Sequence, residues 1–172
     1  MSGYTVFLSS TFSDLNKERT QVCDALALIP VSVLCAEHSG DTGKRLSPTL
    51  KGWIDEADAV ILLIGQHSGT LSGSGKPWTQ VEARYAIQKK KRLFVYVRQI
   101  PDELRTLIDQ DLEAKRKLEE FICFIEKKIA NVPRFNLGQC CRLTAMVVRD
   151  VDRYLRTLEK TRQEASYLDS FT

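Results

Sequence analysis

One stretch of the chain, Ala59-Val-Ile-Leu-Leu-Ile64, is apolar at all six positions. A continuous run of this kind, rich in branched aliphatic residues, is typical of a strand that is covered on both faces, as in a parallel sheet. Similar runs occupy residues 4–8, 31–35 and 93–97. The sequence therefore predicts a buried parallel sheet that contains these four strands.

Helical patterns separate the four runs and occupy residues 14–29, 47–57 and 77–90. The second begins at Ser47-Pro48, where a capping side chain precedes a proline at the first helical position. Alternating strands and helices imply right-handed crossovers, with helices on both sides of an open sheet. The predicted fold class is a flavodoxin-like α/β sandwich of three layers.

The pattern changes after residue 97, because apolar residues recur at helical spacing across residues 101–130 and 140–164. A short extended piece near Arg134-Phe135 predicts a fifth strand at an edge of the sheet. We therefore expect a mainly parallel sheet of four or five strands with a C-terminal helical extension. The predicted divisions are an α/β core at 1–98, a helical completion of the fold with a linker helix at 99–165, and the start of a linker to a downstream domain at 166–172.

Composition narrows the function classes. The 172 residues are 43% hydrophobic and carry a net charge of +3, so a single folded domain is expected and a nucleic-acid partner is disfavoured. No apolar stretch reaches the roughly 18 residues of a membrane span, and no signal peptide is visible. Five cysteines without a C-x-x-C pair, and only two histidines, provide no zinc spacing. We expect a cytoplasmic protein without a metal or a membrane contact.

Ligands of open α/β sheets bind beyond the carboxyl ends of the strands, where the strand order reverses. Ser9, Ser10 and Thr11 follow the first strand and precede the first helix. Their hydroxyl groups and the free N–H groups of a helix start suit a phosphate or another anion. Alternatively, Thr11 caps the helix together with Asp14, and both interpretations remain open.

The loop after the third strand, residues 65–78, contains four glycines and four serines or threonines, which is typical of a lid. It lacks both nucleotide-binding fingerprints: Thr70 and Pro77 break a Walker pattern, and no G-x-G-x-x-G is present. His67 in this loop either assists catalysis or is an incidental polar residue.

Glu82 is the strongest candidate for chemistry. On a helix it lies one turn from both Trp78 and Tyr85, so its carboxylate shares the apolar face. A carboxylate there is costly unless it is paired or used, and burial would raise its pKa. Thr79-x-x-Glu82 also matches a capping box, which is the preferred interpretation before any family resemblance is considered.

Two further residues are weaker candidates. Arg19 on the first helix is placed to reach an acidic partner or a ligand phosphate, or is an ordinary surface arginine. Glu37 follows the second strand and either lines the crevice or belongs to a surface turn.

The chain resembles a known family at three places, which together cover about residues 4–98: Thr5-Val-Phe-Leu-Ser-Ser-Thr-Phe-Ser-Asp-Leu-Asn-Lys-Glu-Arg19, Ala57-Asp-Ala-Val-Ile-Leu-Leu-Ile-Gly65 and Thr79-x-x-Glu82-x-x-Tyr85-Ala86. The family comprises TIR-like domains of unknown function at the N-terminus of large signalling NTPases of the STAND/NACHT type and of bacterial defence proteins. It is related in fold to TIR domains and nucleoside deoxyribosyltransferases.

In those relatives a glutamate near the start of the helix after strand three acts at the ribose of a nucleotide or nucleoside. The resemblance implies Glu82 as the analogous residue, with Ser9 and Ser10 near the ligand. It implies an effector module that hydrolyses the N-glycosidic bond of NAD or a related nucleotide as substrate, with no separate cofactor. Self-association and downstream NTPase or repeat domains follow from the same likeness.

Two alternatives stay open: a non-catalytic module for homotypic protein interaction, and an enzyme of the deoxyribosyltransferase type. Under the leading interpretation Glu82 is catalytic. The expected ligand-binding residues are Ser9, Ser10, Thr11, Arg19, Glu37, Gly65, His67, Trp78 and Tyr85.

Overall fold

A computed structural model describes residues 3–35, 46–67, 69, 71–99 and 112–169. Its strands form one sheet in the order β2-β1-β3-β4-β5, with every neighbouring pair parallel. The strands are β1 (Tyr4–Ser10), β2 (Val31–Cys35), β3 (Ala59–Ile64), β4 (Arg92–Gln99) and β5 (Arg134–Asn136). The predicted fold class is confirmed, including the short fifth strand.

The helices are α1 (Phe12–Leu26), α2 (Pro48–Glu56), α3 (Trp78–Gln88), α4 (Leu112–Glu126) and α5 (Cys140–Asp169). Helix α1 ends three residues before the predicted boundary. There Leu28 N–H bonds Ala25 O, and Ile29 N–H bonds Leu26 O, so the last turn is tightened to a three-residue spacing. Pro30 follows and disfavours helical geometry in the residue before it.

The core has two sides because helices cover both faces of the sheet. Alternate residues of β1, β3 and β4 pack against α1 and α5 on one face. The remaining strand residues pack against α2, α3 and α4 on the other. All six residues of β3 are buried, which explains why its sequence is apolar without alternation.

The long helix α5 has a buried first part and an exposed second part. Leu143, Val147 and Val151 are fully buried against the sheet and α1. From residue 159 to residue 167 every side chain is exposed. Among the described residues, no helix is both long enough and apolar enough to cross a membrane.

The topological switch point of the sheet, which we call the crevice, is at the carboxyl ends of β1 and β3. The chain leaves β1 for β2 on one side and returns to β3 on the other, so the order reverses between β1 and β3. Ser9 and Ser10 are paired in register with Leu62 and Leu63, so the residues after β3 continue beside the end of β1.

Candidate functional site

Glu82 and Ser9 form the centre of the candidate site. Glu82 lies on α3 with 4% of its surface exposed, and Ser9 at the end of β1 is fully buried. The Ser9 hydroxyl donates to Glu82 Oε2 over 2.5 Å, although 73 residues separate the two along the chain. This contact joins two of the segments that the sequence places at the crevice.

The capping-box interpretation of Thr79 and Glu82 is wrong. Helix α3 begins at Trp78, with Pro77 in the N-cap position and no capping side chain. Because Thr79 is already inside the helix and buried, it cannot act as the N-cap residue. The Glu82 carboxylate accepts the Ser9 hydroxyl instead.

Burial controls the protonation of Glu82. Loss of hydration raises the pKa of this carboxyl group to about 7. The Ser9 hydrogen bond and the positive charge of Arg19 act in the opposite direction, because both favour the carboxylate. Glu82 therefore titrates near neutral pH, in the range where acid–base catalysts are most effective.

Arg19 lies beside this pair, and the interpretation as a surface arginine is wrong. It has 5% of its surface exposed, and its Nη1 donates to Ser10 Oγ over 3.3 Å. Burial lowers the pKa of the guanidinium group, and the negative charge of Glu82 is among the groups that oppose this shift.

Thr11 occupies the N-cap position of α1 without capping it. Its backbone is extended, as an N-cap requires, but its side chain accepts no backbone N–H group. The Thr11 hydroxyl donates instead to Asp14 Oδ1. The Thr11–Asp14 pair expected from the sequence exists, but as a side-chain contact.

Asp14 contacts several elements at the crevice through its carboxylate. Its Oδ2 accepts the backbone N–H groups of Gln66 at 2.5 Å and His67 at 3.2 Å, both directly after β3. The same oxygen accepts Nη2 of Arg98, at the end of β4, over 3.0 Å. One carboxylate thus connects α1, the loop after β3 and the end of β4.

Arg98 extends this buried cluster. Its Nη1 donates to the Asp14 carbonyl oxygen at 2.8 Å and to Glu18 Oε1 at 3.4 Å. The side chains of Arg98, Asp14 and Glu18 are 4%, 6% and 7% exposed. The backbone of α1 leaves helical geometry at Leu15, immediately after the carbonyl group that Arg98 engages.

Sequence reasoning missed Arg98, although one signal was available. Side chains alternate along a strand, so Arg98 shares a face with Phe94 and Tyr96, both of which pack in the core beside α1. An arginine that continues such a buried face requires an acidic partner from the covering helix.

Gly65 is required by the close approach of Asp14. A Cβ atom at this position would lie 2.1 Å from Asp14 Oδ2. Gly69, further along the same loop, has a positive φ of 68°, which favours glycine. Gln66 adds a buried amide Nε2 that has no hydrogen-bond partner in the described part of the chain, so the loop holds a donor at the crevice.

Three other predicted residues keep their side chains out of this cluster. The His67 side chain is exposed, and only its backbone N–H contacts Asp14. Trp78 and Tyr85 pack in the seam between α2 and α3, where the Tyr85 hydroxyl donates to Asp55 Oδ2 over 2.9 Å. Glu37 lies outside the described residues. In the described ranges, no three His, Cys, Asp or Glu side chains are arranged to hold a metal.

The family model described as a domain of unknown function, DUF4062, matches residues 5–142. The chain belongs to this family. The match extends beyond the resemblance found at residues 4–98 and includes β5 and the start of α5. No curated protein matches the chain significantly.

The DUF4062 domain is similar in structure to the TIR domains of the activated Roq1 resistosome, which is described as directly recognising the pathogen effector XopQ. The likeness has a TM-score of 0.58 at 16% identity and covers 86% of this chain and 99% of the TIR chain. It establishes a TIR-like fold. A 2-desoxiribosyltransferase from Leishmania mexicana covers 64% of this chain and 75% of its own at 13% identity; its TM-score of 0.44 is too low to support an argument.

The geometry explains the polar pattern of the block that resembles the family. Ser9 holds Glu82, Asp14 holds the loop after β3, and Glu18 faces Arg98. Thr11 and Arg19 bond their neighbours Asp14 and Ser10. These polar side chains are thus engaged at the carboxyl edge of the sheet, while Leu15 and Val22 of the same helix enter the core.

Proposed function

We propose that this DUF4062 domain is a TIR-like effector module that hydrolyses the N-glycosidic bond of NAD or a related nucleotide. The observation that carries the proposal is the buried Glu82 carboxyl group, held by Ser9 at the carboxyl edge of β1 and titrating near neutral pH. A titratable group with a pKa displaced by burial in a crevice is a reasoned candidate for catalysis.

The chemistry needs a carboxylate beside the ribose. As the bond between the ribose and the pyridinium nitrogen breaks, its electron pair stays on that nitrogen and nicotinamide leaves as a neutral molecule. Positive charge then develops on the ribose. Ionised Glu82 stabilises this charge, or forms a covalent ribosyl adduct that water opens afterwards.

The surrounding groups suit the rest of such a nucleotide. Ser10 and Thr11 provide hydroxyl groups at the start of α1, where phosphate groups are favoured, and Arg19 adds a positive charge next to Ser10. Because ionised Glu82 is the active form, the rate should rise with pH through about 7.

Assembly and context belong to the same proposal. The TIR-like neighbour is described as part of an activated resistosome, which is consistent with activity that depends on self-association. In a full-length protein the domain would precede an NTPase or repeat region of the STAND type and act in the cytoplasm during immune or antiviral signalling.

The test is nicotinamide release from NAD by the purified domain, both free and clustered by fusion to an oligomerising partner. We expect clustered wild-type protein to be active and Glu82→Gln to lose activity by about 100-fold or more. Glu120→Gln is the matched control, because it removes an exposed carboxylate on α4. Activity that survives Glu82→Gln in a folded protein would overturn the assignment.

Ser9→Ala separates positioning from chemistry. Because the Ser9 hydrogen bond lowers the pKa of Glu82, its loss should move the rise of the pH–rate profile to higher pH. An unchanged profile would show that Ser9 does not act through Glu82.

The second candidate is a non-catalytic module that signals by homotypic assembly, favoured by the assembled state described for the TIR-like neighbour. It predicts self-association in sedimentation with no nicotinamide release at any degree of clustering. The deoxyribosyltransferase alternative predicts base exchange on 2′-deoxynucleosides, which chromatography of a deoxynucleoside incubated with a second nucleobase would detect.

A further inference from the structure

Two cysteine thiols meet beside the candidate site. Cys23 lies on α1, and Cys35 is the last residue of β2. Their Sγ atoms are 3.6 Å apart, and both residues keep part of their surface exposed.

The geometry points to Cys23 and Cys35 as a modification site, a thiol pair that a small disulfide such as oxidised glutathione converts to an intramolecular disulfide. The thiolate of one cysteine attacks the reagent and displaces one glutathione thiolate. The second cysteine then attacks the mixed disulfide and displaces the other glutathione. The protein loses two protons and two electrons, and the reagent leaves as two molecules of reduced glutathione.

The distance between the thiols favours closure. A disulfide needs the sulfur atoms at about 2.05 Å, so they must approach by roughly 1.5 Å. Cys35 pairs in register with Leu8 on β1, and α1 packs over these strands, so both cysteines belong to fixed elements. Rotation of side chains from this starting distance is a small change compared with a rearrangement of the fold.

The two cysteines have different electrostatic surroundings, which suit different steps of the reaction. The hydrogen bond with Cys35 raises the pKa of Cys23, so Cys23 keeps its proton to higher pH than an ordinary cysteine. Arg19 lies one helical turn before Cys23, and its positive charge interacts most strongly with Cys35. Because the positive charge of Arg19 favours a thiolate at Cys35 more than at Cys23, we assign the attack on the reagent to Cys35 and resolution of the mixed disulfide to Cys23.

The sequence provides a direct assay. Trypsin cleaves after Arg19 and Lys44, and the peptide 20–44 contains both cysteines and no other. The native chain is incubated with oxidised glutathione, quenched in acid, alkylated with N-ethylmaleimide under denaturing conditions and digested without reduction. We expect this peptide to lose the mass of two hydrogen atoms and to carry no maleimide.

Cys123 and Cys141 are exposed and serve as internal references. If they become glutathionylated while peptide 20–44 carries two maleimide groups, the pair is not a modification site. A single glutathione on this peptide with the second cysteine alkylated would also overturn the proposal, because resolution would have failed. Since the readout is a mass, the result does not depend on nicotinamide release.

Variants sharpen the result. Cys123→Ser/Cys141→Ser should close the disulfide as the wild type does, whereas Cys23→Ser should stop at a stable mixed disulfide on Cys35. If Cys23→Ser fails to fold, the wild-type mass still decides. Closing the segment between residues 23 and 35 should also raise Tm by several degrees, reversibly with dithiothreitol; a Tm that stays constant in the crosslinked protein contradicts the fixed geometry described here.

Discussion

Two ion pairs in this protein have the same length and opposite surroundings. Arg98 Nη2 lies 3.0 Å from Asp14 Oδ2 at the carboxyl edge of the sheet, with side chains 4% and 6% exposed. Lys89 Nζ lies 3.0 Å from Asp55 Oδ1 in the α2–α3 seam, with side chains 42% and 39% exposed. Their distances alone would suggest equal importance.

The difference lies in hydration. The pKa of Asp55 is lowered, chiefly by its hydrogen bond with Lys89. Water already solvates the Asp55 carboxylate, so Lys89 adds to this stabilisation without having to offset a loss of hydration. The effect of burial is visible at Glu82, which lies at the same carboxyl edge as the buried pair. Its pKa is raised by burial even though the Ser9 hydroxyl group and the Arg19 guanidinium favour its charged form. Removal of one partner therefore costs much free energy of unfolding for a buried ion pair and little for an exposed one.

The largest effect is expected from Arg98→Met. Removal of the guanidinium leaves Asp14 and Glu18 buried without their common cation, which should destabilise the fold by about 3 to 5 kcal/mol. Urea unfolding measures the loss. Arg98→Lys is the matched control, since it keeps the charge but cannot reproduce the forked contacts. A loss below about 1 kcal/mol for Arg98→Met would show that burial does not make this pair special.

Gly65→Ala should cost about 2 to 3 kcal/mol, because the new Cβ displaces the Asp14 carboxylate from the Gln66 and His67 amides. Gly52→Ala is the control: a Cβ there meets nothing within 4 Å, so the substitution should be stabilising in the middle of α2. In an Asp14→Ala background the penalty of Gly65→Ala should largely disappear. A penalty that persists there would exclude the carboxylate as its cause.

Glu82→Gln tests the raised pKa through stability. The folded-state pKa of about 7 exceeds the ordinary 4.5, so the stabilising contribution of the protonated group is complete below about 4.5 and is lost as pH rises through about 7. The free energy of unfolding of wild type minus that of the variant should therefore fall by up to about 3 kcal/mol from pH 4.5 to 8. A difference curve that stays flat over this pH range would contradict the burial argument.

The smallest effect is expected from Asp55→Asn. The exposed pair with Lys89 is solvated whether or not it forms, so the midpoint of urea unfolding at 0.15 M salt should stay unchanged within experimental error. A loss comparable to that of Arg98→Met would remove the distinction between the two pairs.

The sequence predicted the fold because the fold depends on local patterns. The apolar run of β3, the Ser47-Pro48 start of α2 and the short extended piece at β5 each carry their own signal. The site was predicted in part. Ser9, Ser10, Arg19 and Glu82 are brought together, as expected from their positions after strands and on helices.

What the sequence could not provide was the pairing of side chains. Asp14 and Arg98 are 84 residues apart, and no spacing rule connects them. The Thr79-x-x-Glu82 pattern matches a capping box. In the structure Pro77 is the N-cap residue, so Thr79 lies inside the helix and the Glu82 carboxylate accepts the Ser9 hydroxyl. Tyr85 shares a helix with Glu82 but turns towards Asp55. The ligand roles of these residues remain predictions.

The carboxylate of Asp14 also constrains the order of folding. Its partners outside the neighbouring Thr11 lie 52 to 84 residues further along the chain, and the partner of Ser9 lies 73 residues further on. Contacts between residues so far apart along the chain form late, since long loops must close first. A nascent chain that has not yet supplied β4 holds two acidic residues without their cation and cannot desolvate this edge. The carboxyl edge around Asp14 and the last central strand, β4, should therefore form in a single cooperative step.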